Sequence, residues 1–381
     1  MIARGLFMNA KQRFMQALHR QPVDRPPVGA VVTAVTVPMM EKVGIKWPDA
    51  HTDPTLLANL AASVWEVSEL ECIKLPFCMT VEVETFGATI DFGTYDTLPT
   101  ETGHIFNHPD EMVVPENFLE MNRVPTVLAA ISRLHEKYEN EVAIVSSIVG
   151  PFALASKMFG FDNFFPWILN HPEYVHQVMK ALTPLAIKYA NAQAAAGADA
   201  ILIGEATCSG DLISPTIYRD FVAPYHTELC NAISIPTIMH ICGKSTGHIP
   251  YLAATGTTAY NFDEGADPDL AREQLKGRVT LIGYVPTVEV LLNGTPEDVY
   301  QATVECLATG VDILTPGCSL PQHTSLANIA AMVQATKDWA NSAELRASKP
   351  NIISQMSAAA RRRIAANDPS SKRKRRRRRS G

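Results

Sequence analysis

The sequence predicts an α/β protein: a (β/α)8 TIM barrel with helical and hairpin additions near its N-terminus. Three observations predict it. From residue 197 onward, short apolar runs alternate with helical stretches in a regular rhythm, the pattern of parallel strands joined by helices. About eight strand–helix units fit the 381 residues, a length ordinary for this barrel. An open doubly wound sheet, the alternative, carries a Gly-rich phosphate loop after its first strand, and the sequence has none.

Taken in order, residues 11–18 read as a first helix, broken by Pro22-Val23-Asp24-Arg25-Pro26-Pro27. Residues 28–33 read as a short buried strand. Asp53 and Pro54 open a helix to about Ser68, with Asp53 as the cap and Pro54 at the first helical position. Residues 71–75 form the second strand; 81–92, alternating and containing Gly87, read as an inserted hairpin. A helix at 125–138, a third strand at 142–148, helical material to 170 and a long helix at 172–196 follow, the last stopped by Gly197. The remaining strands fall at 200–204, 237–241, 259–262, 279–283 and 312–315. The helices between and after them fall at 215–233, 247–255, 268–275, 296–309 and 326–339.

Residues 1–345 are expected to form this one barrel, and 346–381 a separate, disordered basic tail. The net charge of −6 divides sharply. Residues 349–381 hold twelve Lys and Arg against the single acid Asp368, or +11, so residues 1–348 carry −17. The eight consecutive basic residues at 372–379 suffice for salt-dependent, sequence-independent phosphate contact. No aromatic residues are interleaved with them to read bases, so nucleic acid is expected only as a non-specific partner of the tail. Apolar content of 46% with 19% charged residues is ordinary for a soluble enzyme. No apolar run approaches the roughly 18 residues of a membrane span, and the N-terminus lacks the apolar segment of a secretory signal. Seven scattered cysteines, an odd number, point to reduced thiols and a cytoplasmic location.

The chemistry-bearing stretch is Thr237-Ile238-Met239-His240-Ile241-Cys242-Gly243, answered by Thr315-Pro316-Gly317-Cys318. Residues two apart on an extended strand face one side, roughly 6–7 Å apart along the backbone. His240 and Cys242 can therefore converge on one zinc ion, with Cys318 as a third ligand from a second strand end. In a barrel of this type chemistry gathers at the C-terminal strand ends, and all three residues fall there. For a fourth ligand the neighbouring strand end offers Asp263, with Glu264 as the alternative and Glu205 a more distant option. Cys208, His248 and His323 also fall near this rim. Cys72, Cys78, Cys230 and Cys306 lack partners at metal spacing and read as core thiols. Gly243 and Gly317 are expected to permit close backbone approach at the ligand turns.

Three protein ligands with an open fourth position describe a working zinc rather than a structural one. Two thiolates and an imidazole place much negative charge on the ion, which suits holding a substrate thiol as thiolate better than activating water. The implied reaction is alkyl transfer to a substrate sulfur.

His240-Ile241-Cys242-Gly243, the following strand ending in Asp263-Glu264, and Leu314-Thr315-Pro316-Gly317-Cys318 resemble the methylcobalamin:coenzyme M methyltransferases of methanogens, of the methanol and methylamine type. These belong to the uroporphyrinogen decarboxylase superfamily of (β/α)8 barrels. The resemblance runs from about Lys11 to Trp339 and includes residues 21–25, 47–50, 150–152, 189–192 and 293–299. It implies that His240, Cys242 and Cys318 are the zinc ligands. It also implies that a corrinoid protein presents methylcobalamin as methyl donor, and that the thiol of coenzyme M accepts the methyl group. A cation or a cluster of N–H groups should then receive the coenzyme's sulfonate. Two other readings share the scaffold: the same chemistry on another acceptor such as homocysteine, and uroporphyrinogen decarboxylation. The decarboxylases resemble this chain around residues 212–225 but hold porphyrin carboxylates with an Arg-rich N-terminal segment, and residues 28–40 here contain no arginine.

Overall fold

In a computed structural model, which describes residues 8–275 and 277–347, nine strands form two sheets. In chain order they are β1 (Cys72–Leu75), β2 (Ile90–Asp91), β3 (Thr100–Glu101), β4 (Ala143–Val149), β5 (Ala200–Gly204), β6 (Thr237–His240), β7 (Ala259–Asn261), β8 (Thr280–Val285) and β9 (Ile313–Pro316). β2 and β3 pair antiparallel as a small hairpin. The other seven are parallel, in the order β1-β4-β5-β6-β7-β8-β9. Their near-continuous apolar sequences follow from burial on both faces. The helices Val124–Tyr138, Pro172–Ala195, Pro296–Ala308 and Leu326–Asn341 are among those that cover the outside.

The ring closes through Val28. Gly29 N–H donates to Leu314 O at 2.9 Å, Leu314 N–H to Pro27 O at 2.9 Å, and Glu71 N–H to Val28 O at 2.7 Å. The strand expected at 28–33 is thus reduced to a single parallel bridge, Val28 to Leu314. Pro26 and Pro27 have no N–H to give to a ladder, and Thr33 turns its hydroxyl to Phe77 O at 2.7 Å. The closure is held from the side by Glu71, which is buried. Its carboxylate accepts from Val28 N–H at 3.0 Å, from Arg25 at 2.8 and 2.9 Å, and from Arg13. Arg13 also makes a two-point pair with Asp24 at 2.6 and 2.9 Å.

The barrel interior is layered by the two-residue period of its strands. Cys72, Val145, Leu202, Ile238, Ala259, Ile282 and Ile313 form an inner apolar cluster with Phe14, Ala17 and Leu18 of the first helix, Ala10–Leu18, packed on it. Two residues on, toward the C-terminal end, come Lys74, Ser147, Gly204, His240, Asn261 and Thr315. The next layer is therefore polar, and it is the floor of the functional end.

Two further expectations change. The hairpin spans 90–101 rather than 81–92, because Val81–Thr85 is a helical turn. Alternation there reflects a buried Glu82, whose Oε1 accepts Val149 N–H at 2.7 Å. The helix expected at 215–233 divides into Pro215–Ile217, a π segment Tyr218–Val222, and Ala223–Ala232. Pro224 has no N–H for the carbonyl four residues back, and the wider turn absorbs the missing bond. Asp53 caps Pro54–Ser68 as expected, accepting from Thr55 and Leu56 N–H at 2.7 and 2.9 Å. No helix among the described residues is long and apolar enough to cross a membrane. The basic stretch at 349–381 lies outside the described residues.

Candidate metal centre

β6 delivers His240 on its last residue, and the chain then turns outward through Ile241 to Cys242. β9 ends at Pro316 and carries Cys318 two residues later. The structure brings the three together: His240 Nε2 lies 3.1 Å from Cys242 Sγ and 3.6 Å from Cys318 Sγ, and the two sulfurs are 3.6 Å apart. Their ligand atoms all fall within 4.8 Å of one another, the only such His/Cys/Asp/Glu group found among the described residues. His240 is buried and both cysteines are half-buried, so the group opens to one side.

Two glycines allow this approach. Gly243 has φ +66°, and a Cβ there would sit 2.8 Å from Ser209 Oγ. A Cβ on Gly317 would lie 2.8 Å from Asp263 Cα, closer than real contacts allow. A side chain at 317 would push the end of β9, and Cys318 with it, away from β7.

Charge is shared within the group. Burial works against ionisation of His240, but the hydrogen-bonded Cys318 thiolate and its charge raise its pKa. The hydrogen bond from Cys242 lowers the pKa of Cys318, against the cost of burial and with help from His240. Cys242 is raised because it carries the proton that the two sulfurs share. Behind His240, Asn261 faces it across β6 and β7. Asn261 Nδ2 donates to Ile282 O and Thr315 Oγ1, both at 3.2 Å, which turns Oδ1 away from those acceptors. Asn261 Oδ1 and His240 Nδ1 are both buried and neither makes a hydrogen bond, although the amide contributes to the raised pKa of the imidazole. A metal ion at this group would take the Nε2 lone pair beside the sulfurs and leave the ring proton on Nδ1.

The other residues singled out at this rim lie outside the three-residue group. Asp263 binds backbone: Oδ2 accepts Gly243 N–H at 2.6 Å and Oδ1 accepts Gly265 N–H at 2.8 Å. It braces the turn after Cys242. Glu264 sits beside Gly317, and burial, then the nearby Asp263, raises its pKa to about 7. Glu205 is fully buried against a helix start, accepting from Phe152 and Ala153 N–H at 3.2 and 2.8 Å and lying 3.0 Å from His226 Nε2. Cys208 Sγ is 3.5 Å from Glu205 Oε2. His248 is buried and stacked on Tyr218, 4.8 Å between centroids. His323 is exposed and lies 3.5 Å from Asp96 in the hairpin.

A cavity of about 210 Å³ adjoins the group. His240, Ser319, Gly204, Ser147, Lys74 and Cys78 are among its walls, with Leu98 and Pro99 of the hairpin at its edge. Sequence reasoning missed Lys74 and Glu82 and read Cys78 as a core thiol. Burial opposes ionisation of Cys78, but His51 and Arg123 bring its pKa down to about 5. Arg123 Nη1 and Thr80 Oγ1 each lie 3.3 Å from its sulfur. The period of β1 was the available signal for Lys74: it stands two residues after the inward-facing Cys72.

The sequence profile described as "Uroporphyrinogen decarboxylase (URO-D)" matches residues 9–339. The chain belongs to the uroporphyrinogen decarboxylase family. Within that family it is a methyltransferase. It is 34% identical over 331 residues, 86% of this chain and 98% of the relative, to methylcobamide:CoM methyltransferase MtaA of Methanosarcina barkeri. It is 34% identical over 333 residues, with the same coverages, to methylcobamide:CoM methyltransferase MtbA of Methanosarcina acetivorans. The solved structure of a methyltransferase from Methanosarcina mazei superimposes with a TM-score of 0.84 at 34% identity, covering 87% of this chain and 99% of that one.

Proposed function

We propose that this methyltransferase moves a methyl group from a methylated corrinoid, carried by a separate corrinoid protein, to the thiol of coenzyme M, and that His240, Cys242 and Cys318 hold a zinc ion for it. The observation that carries the reading is the crowding of one imidazole and two sulfurs within 4.8 Å beside an open cavity. The donor set fits zinc. It is a borderline-soft N and S set, and the far nitrogen of His240 is buried without a hydrogen-bond partner.

Zinc bound there supplies a charge that keeps an incoming thiol deprotonated near neutral pH. The chain's own residues do the rest. Asn261 stands beside His240 as its register partner on β7. Asp263 and Gly317 hold the two cysteine-bearing turns against each other. The apolar inner layer closes the barrel below and keeps water out from that side. In-line attack of the acceptor sulfur on the methyl carbon forms the S–CH3 bond and breaks the Co–CH3 bond, leaving that electron pair on cobalt. Positioning the small thiol in line with the methyl group of the corrinoid protein contributes to the rate.

The test is optical. Methylcobalamin mixed with the protein should lose its methylated spectrum and give cob(I)alamin only when coenzyme M is added. Absence of thiol-dependent demethylation, or decarboxylation of a porphyrinogen without added metal, contradicts the proposal. Homocysteine in place of coenzyme M checks the acceptor.

A further inference from the structure

Lys74 is one of the cavity's walls and is 5% exposed. A buried ammonium costs several kcal/mol unless a carboxylate answers it. The one hydrogen bond recorded for Lys74 goes to the carbonyl of Pro76, and among the described residues it enters no ion pair. The charges that act on it, those of Cys78, Glu82 and Cys318, do so through space. Two of these are already engaged. Cys78 is matched by Arg123 and His51. Glu82 accepts Val149 N–H, and its burial raises its pKa to about 7, so that it carries only part of a charge at neutral pH. The other cation nearby, Arg123, is committed to Glu84 at 2.6 Å, Thr80 at 2.9 Å and Cys78. Lys74 is thus a buried positive charge without a dedicated partner, in a cavity that His240 also lines.

The cavity is small, about 210 Å³, so it suits a molecule of a few heavy atoms. A ligand there meets His240, the member of the three-residue group that lines the cavity, and Lys74 within the same walls. We propose that Lys74 receives the acid group of a short anionic thiol whose sulfur faces His240, Cys242 and Cys318. The inference deepens the proposed function and rests on it for the sulfur end only. Lys74 selects the substrate by its charge. The shared ligand chemistry is an acidic head, sulfonate or carboxylate, on a short chain that ends in a thiol.

The experiment is calorimetric binding to the metal-loaded protein, wild type against Lys74→Met and Lys74→Arg. Four probes serve: 2-mercaptoethanesulfonate, 3-mercaptopropionate, neutral 2-mercaptoethanol, and ethanesulfonate, which has the acid but no thiol. A hydrogen-bonded charge pair of this kind is expected to contribute about 10–100-fold in affinity. Lys74→Met should therefore weaken the preferred acidic thiol and ethanesulfonate by about that factor, and leave 2-mercaptoethanol within roughly 3-fold. Lys74→Arg should retain part of the acid preference. The two acidic thiols compared in wild type identify the head group. Lys74→Met should also unfold at an equal or higher urea concentration in the absence of ligand, because it removes an uncompensated buried charge.

Equal affinity of wild type and Lys74→Met for the acids overturns the proposal. So does parallel loss of the neutral thiol, or a lower unfolding midpoint for Lys74→Met, since either makes Lys74 part of the scaffold. The two readings separate cleanly. If thiols bind no better than ethanesulfonate, the sulfur site fails, while Lys74-dependent ethanesulfonate binding still upholds the role of Lys74.

Discussion

Glu71 is the place where the barrel's closure can be tested by one substitution. It is 3% exposed and accepts from Arg13, from both terminal nitrogens of Arg25, and from Val28 N–H. Glu71→Ala removes all of these at once. Breaking a buried charge pair by deleting one partner costs about 3–5 kcal/mol. A buried N–H left without an acceptor costs about 1–3 kcal/mol. These do not add, because they share one network, and Arg13 keeps its two-point pair with Asp24. The expected loss is about 4 kcal/mol. Glu71→Gln keeps an acceptor for Val28 and should lose roughly half as much. Urea unfolding followed by far-UV circular dichroism and by tryptophan fluorescence measures both, with the two signals required to coincide. An Ala variant within about 1 kcal/mol of wild type, or a Gln variant as unstable as Ala, refutes the closure argument.

Asn261→Leu should remove the amide that stands beside His240 across β6 and β7 and weaken metal retention by about 10–100-fold, measured by competition with a chromogenic chelator; unchanged affinity would remove Asn261 from the account. Asp24 gives a pH prediction. Burial works against its charge, but the bond from Arg13 holds its pKa below the ordinary carboxylate value. A lowered folded pKa contributes stability that is complete above the unfolded value of about 3.9 and is lost as pH falls through the folded value. Urea midpoints should therefore drop as pH falls below about 4, and drop less in Asp24→Asn; equal slopes would contradict the assignment.

Much of the site was legible because its signals are local. The His240–Cys242 spacing reports a strand end directly, and Cys318 follows a strand of the same kind, so the barrel alone places the three on one rim. Asp263 was placed correctly at the end of β7, but its two backbone acceptor bonds were invisible: nothing in the sequence says that Gly243 lies within reach. Lys74 was lost inside Cys72-Ile73-Lys74-Leu75, where a buried charge interrupts an otherwise apolar strand and periodicity assigns it no partner. The strand expected at 28–33 was overestimated because those residues are apolar, although the prolines before them limit the ladder to one bridge. Alternation at 81–85 mimicked a strand because Glu82 is buried with Val81 and Val83, through a bond to a residue 67 positions away.

The central claim is that three side chains, distant along the chain, hold one zinc ion. Metal content measured by inductively coupled plasma mass spectrometry on the purified protein tests it most directly, with Cys242→Ala and Cys318→Ala beside Cys306→Ala, a buried cysteine outside the group. The account predicts about one zinc per chain in wild type and Cys306→Ala, and loss of zinc in the other two. Wild type free of zinc after reconstitution, or full retention of zinc by Cys242→Ala and Cys318→Ala, would contradict it.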